Sequence, residues 1–216
     1  MRLNFITAIL LSLYITGSLS KKKPATKIVP DGLVYPLGVL PPNTLTHFAI
    51  ITSWENFNTT LSTYGTFLGL QPPNPNQIAG GPDSNGTYVV DGVPQRLLGT
   101  TKIAFLRLNN NTQMEFLAGD PDVPSWWRDV YLVKGFEVHH MGYHLATNVS
   151  IWPVVEAFTA AQLGAPVQWG RWGVEDTNSG GCYVYIDSQS SLGVTTEILG
   201  AESGCDSLPA QPRQHT

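Results

Sequence analysis

The sequence predicts an α+β fold made of two similar halves, each with the order strand, helix, strand and strand. Three observations favour it: a weak internal repeat, an amphipathic helical pattern in each copy, and a closing pair of strands in each copy. The 216 residues suit one compact domain, or two small modules that share a core. The 21 glycines and 16 prolines divide the chain into short elements, which argues against a long parallel sheet.

Each half begins with a short strand that leads into an amphipathic helix. In the first half the apolar residues recur at three- and four-residue steps, at Trp54, Phe57, Leu61, Tyr64 and Leu68. The second half repeats this pattern with Ile151, Val154, Val155, Phe158 and Ala161. Ser53 and Ser150 can cap the starts of the two helices, and Gly69 and Gly164 can end them.

Each half closes with two strands, and the last strand of each half contains one acidic residue. In the first half the strands are predicted at 102–108 and 113–119, joined by a polar turn. In the second half they are predicted at 182–187 and 195–200. A further strand is possible at 88–91 in the first half.

The composition excludes several classes of protein. Charged residues make up 13% of the chain and the formal net charge is -4, whereas a nucleic-acid-binding protein would show a basic patch or stripe. The hydrophobic fraction of 42% argues against general disorder. No apolar run long enough for a transmembrane helix lies beyond the N-terminal segment, so no membrane span is expected in the mature chain.

The N-terminal segment is typical of a secretory signal peptide. Arg2 precedes an apolar stretch that is too short to span a bilayer, and small residues at Ser18 and Ser20 suit a cleavage site. The alternative is an N-terminal membrane anchor. The predicted organisation is a signal peptide at 1–20, a Pro-rich leader at 21–43, a domain at 44–200 with halves at 44–120 and 136–200, and a tail at 201–216.

Two other features favour an extracellular protein that passes through the secretory pathway. Four Asn-x-Ser/Thr sequons offer glycosylation sites at Asn58, Asn85, Asn110 and Asn148. Only two cysteines are present, Cys182 and Cys205, and in an oxidising compartment they are expected to form one disulfide. The alternative is two free thiols.

Two histidines and two glutamates occupy matching positions in the repeat: His47, Glu115, His140 and Glu197, called here the His/Glu quartet. Side chains alternate between the faces of a strand, so the four converge if they share the concave face of one sheet. Their mixed nitrogen and oxygen donors suit Zn, Fe, Mn, Co or Ni. The alternative is four ordinary strand residues, hydrogen-bonded or solvated.

A third histidine lies close to the quartet in sequence. His144 follows His140 by four residues, so a regular strand turns both to the same face, and Gly142 between them leaves room. His144 could be a general base, a substrate donor, a group that supports the ligands, or a polar wall residue. His139 is expected to point to the opposite face by the same parity and is excluded.

Four stretches of the sequence, taken in order, resemble one protein family. The segment 47–70, ending in YGTFLGL, is similar to the family's opening strand and helix, and VHHMGY at 138–143 is similar to the opening of its second module. YID at 185–187 and LGVTTEIL at 192–199 resemble its epimerase-type ending. The family is the vicinal oxygen chelate superfamily, which contains glyoxalase I, methylmalonyl-CoA epimerase and extradiol dioxygenases. The resemblance covers about 44–200.

The resemblance implies a glyoxalase-like fold in which two βαβββ modules form an open, cupped mixed sheet around a metal. The quartet matches the family's metal positions by order, although epimerases usually have Gln where Glu115 stands. One divalent ion is implied, from among Zn, Mn, Ni, Co and Fe. The segment 71–101 is longer than the family's usual connection and could form a lid or a surface loop.

The implied function is a secreted, metal-dependent isomerase, epimerase or lyase that stabilises an enolate of a small oxygen-bearing metabolite. Glu197 is the predicted base and His144 its assistant. One alternative is an Fe(II) extradiol-type dioxygenase that uses His47, His140 and Glu197, and another is a secreted binder without turnover. The predicted partner is a small-molecule substrate, with a homodimer possible and no nucleic acid or membrane partner.

Overall fold

The computed structural model describes residues 40, 44–71, 86–97, 101–172 and 180–212. The predicted signal peptide, nearly all of the predicted leader and the sequon residue Asn85 lie outside these residues.

The described residues form a single mixed sheet of nine strands in the order β3-β2-β7-β8-β9-β6-β1-β5-β4. The sheet is curled and open, which confirms the predicted cupped α+β fold. The strands are β1 Leu45–Ile51, β2 Thr87–Val90, β3 Val93–Arg96, β4 Thr101–Arg107, β5 Gln113–Gly119, β6 Glu137–His144, β7 Ala165–Trp172, β8 Gly181–Asp187 and β9 Thr195–Ala201.

The helices are α1 Phe57–Leu68, α2 Trp126–Lys134, α3 Ile151–Ala160 and α4 Gln189–Leu192, followed by a 3-10 helix at Glu202–Ser207. α1 ends at Gly69, whose φ of 67° is the left-handed conformation that glycine adopts without strain. α3 begins after Ser150 as predicted, but its C-cap is Ala161, three residues before the predicted Gly164.

The two halves meet at an antiparallel pair of strands in the centre of the sheet. β1 pairs with β6, and each then has a parallel partner that closes its own half: β5 beside β1, and β9 beside β6. The second half continues outward through β8 and β7. The last strand of each half therefore lies directly beside its first strand, which is how two distant sequence positions become neighbours.

The first half departs from the second in one respect. The hairpin of β2 and β3 pairs with β7 of the second half, through Thr87 opposite Trp169 and Tyr88 opposite Gln168. It lies at the far edge of the sheet from β4. The extra strand predicted at 88–91 is thus present, but it extends the sheet of the other half. The sequence could not indicate this, because alternation along a strand does not specify which edge of a sheet the strand joins.

Helices cover both faces of the sheet. α1 packs on one half of the convex face, against a core that includes Leu106 and Phe116, and α3 packs on the other half, against Val184 and Ile198. α2 lies on the concave face, where Trp127 contacts aromatic residues of β8. Sequence analysis missed α2. Its local signals are Ser125, whose hydroxyl accepts a hydrogen bond from the Arg128 N–H and caps the helix, with Asp129 in the first turn and Lys134 in the last turn.

The predicted disulfide between Cys182 and Cys205 is formed. It joins β8 to the 3-10 helix, and both cysteines are fully buried on the convex side beside α3. Arg171 adds an ion pair to Glu202 and donates to the carbonyl of Cys205. The first part of the predicted tail is therefore folded onto the domain.

Three of the four sequon asparagines lie within the described residues, at Asn58, Asn110 and Asn148, and all three are exposed. Their glycosylation stays a prediction. Within the described segments, no helix has both the length and the apolar character needed to cross a membrane.

Candidate metal centre

The four central strands of the sheet bring the His/Glu quartet together. His47 lies on β1, Glu115 on β5, His140 on β6 and Glu197 on β9. Gly142 pairs with both His47 and Glu197, and paired residues share a face of the sheet. One ligand atom from each member of the quartet lies within 4.8 Å of the other three, and all four residues are buried. The convergence expected from the repeat is therefore present in the structure.

The spacing of these atoms matches a shared cation. His47 Nε2 lies 3.1 Å from His140 Nε2, 3.2 Å from Glu115 Oε2 and 2.8 Å from Glu197 Oε2. His140 Nε2 lies 3.0 Å and 3.3 Å from the same two oxygens. Metal–ligand bonds of about 2.0–2.2 Å place neighbouring donors roughly 2.8–3.6 Å apart, so the five distances fit donors around one ion.

The unsatisfied oxygens of the quartet support the same conclusion. Glu115 Oε2 and Glu197 Oε2 are buried, and neither accepts a well-aligned hydrogen bond from the described residues, although each lies close to two imidazole nitrogens. Buried carboxylate oxygens without partners are costly. A divalent cation would satisfy both oxygens, and two carboxylates would balance its charge. The donor set therefore fits a borderline divalent metal.

The electrostatics of the metal-free quartet are those of buried ion pairs. Burial favours neutral His47, but contacts with Glu115 and Glu197 outweigh it and raise the pKa of His47 to about 10. The pKa of His140 is also raised, because the two carboxylates overcome its burial. Burial opposes ionisation of Glu197, yet His140 and His47 hold the pKa of its carboxyl well below the usual range. Imidazole protons thus occupy the position that a cation would take.

The second nitrogen of His47 is also held. Thr46 Oγ1 donates to the carbonyl of Gly142 at 3.2 Å, and the same oxygen lies 3.1 Å from His47 Nδ1. Because the hydroxyl proton is used on the carbonyl, the hydroxyl oxygen accepts the proton of His47 Nδ1. Neutral His47 therefore keeps its lone pair on Nε2, the atom that faces the quartet.

Gly142 provides the space for the His47 ring. A Cβ at this position would lie 2.0 Å from His47 Cε1 and 2.3 Å from Nε2. Any larger residue would occupy the volume that the imidazole fills.

His139 is not one of the four donors, but the expectation that it points away from them is wrong. His139 is fully buried, and its Nδ1 lies 2.9 Å from His140 Nδ1. The parity argument fails because the pairing of β6 with β1 shifts between His140 and Val138, and His139 lies in this bulge. Burial, and the charge of His140, lower the pKa of His139 well below its usual value, so its ring is neutral.

Tyr185 is another contact that sequence analysis missed. It is the partner of Glu197 on β8, and its ring centroid lies 4.9 Å from that of His140. Burial, together with the charges of Glu197 and Glu115, raises the pKa of its hydroxyl well above the usual value. Tyr185 therefore stays protonated beside the quartet.

His144 lies at the end of β6, on the face of the sheet that carries Gly142, but it is exposed and outside the quartet. Its Nδ1 lies 2.9 Å from the carbonyl oxygen of Leu145, to which it donates. The Nε2 of the neutral ring is then the acceptor. Its predicted part in catalysis stays a prediction.

The quartet is covered unequally on its two sides. α2 closes one side, where the Trp126 N–H donates to Gln168 at 2.9 Å and Asp129 accepts from Tyr88 at 2.7 Å. On the other side Phe105 is 41% exposed, with its ring centroid 6.3 Å from that of His47. Arg107 lies two residues further along β4 on the same face, and it is exposed.

Comparisons with solved structures find proteins of similar fold. Methylmalonyl-CoA epimerase from Mycobacterium tuberculosis has a TM-score of 0.44 at 11% identity, over 74% of this chain and 91% of that one. Hypothetical protein BH1468 from Bacillus halodurans C-125 has a TM-score of 0.46 at 18% identity, over 79% and 97%. A triple mutant of 4-hydroxymandelate synthase from Streptomyces coelicolor has a TM-score of 0.44 at 12% identity, over 78% and 52%.

These neighbours are members of the vicinal oxygen chelate superfamily, the family that the sequence motifs resemble. At such low identities and TM-scores, the similarity carries no information about metal, substrate or reaction. No protein-family model matches the sequence, and no curated protein matches it.

Proposed function

We propose that the protein is a metal-dependent isomerase, epimerase or lyase that acts on a small oxygen-bearing metabolite. The observation that carries the proposal is the convergence of the His/Glu quartet, whose two buried carboxylate oxygens lack aligned hydrogen-bond donors.

The quartet would hold the ion through its two imidazole Nε2 atoms and two carboxylate Oε2 atoms. When bound, a divalent cation supplies a Lewis acid that polarises substrate oxygens and stabilises an enolate. The chain itself supplies the proton transfer. Glu197 is the proposed base, and His144 offers an acceptor nitrogen at Nε2 on the exposed side of the same face.

The residues on the Phe105 side of the quartet indicate the class of substrate. A divalent cation with two carboxylates has no net charge, so it gives an anionic substrate no long-range attraction. Arg107 provides a positive charge there, and Phe105 provides an apolar wall. We therefore propose a small carboxylic acid with a second oxygen on the adjacent carbon and an apolar or aromatic substituent.

The decisive experiment is metal analysis of protein purified from a secretory host, repeated on His140→Ala and His144→Ala. His140→Ala removes a quartet donor and should lose stoichiometric metal. His144→Ala is the matched control, since it lies on the same strand but is exposed and outside the quartet. A wild-type protein that binds no divalent metal, or equal metal in both variants, would refute the metal site.

Turnover is then tested with 2-hydroxy and 2-oxo carboxylic acids in deuterated water, with their amides as neutral controls. Metal-dependent entry of deuterium at the carbon beside the carboxylate would support the isomerase class. Oxygen uptake by the Fe(II) form would instead support the dioxygenase. Saturable binding of these acids without chemistry would support a non-catalytic binder.

We also propose that the protein is secreted. The signal-peptide pattern, the Cys182–Cys205 disulfide and the exposure of Asn58, Asn110 and Asn148 support this. The full chain is expressed in a eukaryotic host, beside a variant with Gln at these three asparagines. Retention of the wild-type protein in the cytosol, or a mass unchanged by deglycosylation, would contradict the proposal.

A further inference from the structure

We propose that Thr46 and His139 are a matched pair of positioning residues, each of which orients the ligand histidine that follows it. The inference rests on the proposed metal site. Thr46 contacts His47 Nδ1, and His139 contacts His140 Nδ1. Each thereby directs the other ring nitrogen, Nε2, at the centre of the quartet.

The backbone places the two residues equivalently. Along the β1–β6 ladder the register shifts twice: one shift leaves Thr46 between paired residues of β1, and the other leaves His139 between paired residues of β6. A bulge turns a side chain away from strict alternation. Each bulged side chain thereby contacts the ligand histidine next to it. In a strand without a bulge, the two neighbouring side chains would point to opposite faces of the sheet.

The hydrogen-bond directions can be assigned from the proton count. Two Nδ1 atoms 2.9 Å apart can share only one proton, so one of His139 and His140 donates and the other accepts. If His140 Nε2 binds a cation, His140 must carry its proton on Nδ1. His139 is then the acceptor, and it carries its own proton on Nε2.

A neutral acceptor suits the charge of the site. The two carboxylates of the quartet already balance a divalent cation. A third carboxylate behind His140 would leave a buried negative charge, whereas an imidazole accepts the same hydrogen bond without one. His139 is fully buried and packs its ring 5.8 Å from that of Tyr185, so solvent cannot replace it easily.

The test compares His139→Leu with His139→Asn, whose amide oxygen can replace Nδ1 as the acceptor. Loss of a supporting hydrogen bond weakens metal affinity by about 10- to 100-fold. We expect this loss for His139→Leu, measured by competition with a chromogenic chelator, and recovery to within about threefold for His139→Asn. Nitrogen-15 NMR of the zinc-loaded wild-type protein should show His140 protonated at Nδ1.

Thr46→Val and Thr46→Ser repeat the comparison at the less buried site, in case His139→Leu does not fold. Thr46→Val should weaken metal binding and Thr46→Ser should restore it. Unchanged affinity in the Leu and Val variants, or equal loss in His139→Leu and His139→Asn, would overturn the proposal. If wild-type protein binds no metal, the proposed function fails instead, which separates the two failures.

Discussion

Substitution of Gly142 by alanine is the sharpest test of the geometry at the candidate metal centre. The new Cβ would lie 2.0, 2.3 and 2.5 Å from three atoms of the His47 ring. β6 cannot retreat, because it pairs with β1 on one side and β9 on the other. The imidazole must therefore leave its position.

The displacement should remove one of four donors. We expect the affinity for Zn²⁺ to fall by at least about 100-fold, beyond the effect of losing a supporting hydrogen bond. Overpacking should also destabilise the protein by about 1–3 kcal/mol. Gly200→Ala is the control: it lies on β9, where a Cβ would meet Cys182 Sγ at 3.3 Å on the convex face. Wild-type zinc affinity in Gly142→Ala, measured by calorimetry, would refute the arrangement.

Four further predictions concern metal affinity against pH, stability against pH, the disulfide and Arg107. The pKa of His47 is raised from 6.5 to about 10, so metal binding must release the His47 proton below that pH. Metal affinity should therefore rise about tenfold per pH unit for this proton, up to about pH 10. A flat calorimetric profile would contradict this. In the metal-free protein, the stabilisation contributed by protonated His47 should be lost as pH rises from 6.5 towards 10. The stabilisation contributed by ionised Glu197 should be lost as pH falls below 4.5. Chemical denaturation at each pH measures both effects. Replacing Cys182 and Cys205 by alanine should lower the free energy of unfolding by about 3–4 kcal/mol, because the disulfide spans 23 residues. Zinc affinity should stay unchanged, since the disulfide lies on the convex side of the sheet. A loss of bound zinc would contradict this. Arg107→Gln should raise KM for carboxylic acids at least about tenfold but not for their amides, and equal changes would refute the anionic-substrate assignment.

The quartet could be predicted because its geometry depends on two robust features of the chain. Alternation along a strand places each ligand side chain on one face, and parallel pairing places the last strand of each half beside its first. Both follow from the repeat. The disulfide was equally accessible, since Cys182 and Cys205 are the only cysteines.

Features that depend on tertiary partners could not be predicted in this way. The β2–β3 hairpin has strand character in its sequence, but nothing local indicates that β7 is its partner. α2 is short, and it lies among large aromatic side chains on the concave face, including Tyr183 and Tyr185. The position of α2 depends on the concave face that the folded sheet provides, and the local sequence does not specify that face.

The error at His139 shows why the centre depends on irregularity as well as on repetition. Strict alternation would give each ligand histidine a neighbour on the opposite face, and its Nδ1 would have to find a partner elsewhere. The bulges at Thr46 and His139 break that rule once in each half, at the residue before the ligand. Strands without these bulges would therefore still bring the same four donors together, but both imidazole rings would be free to rotate. The duplicated sequence supplies the donors, and the two bulges supply the partners that hold the imidazole rings in place.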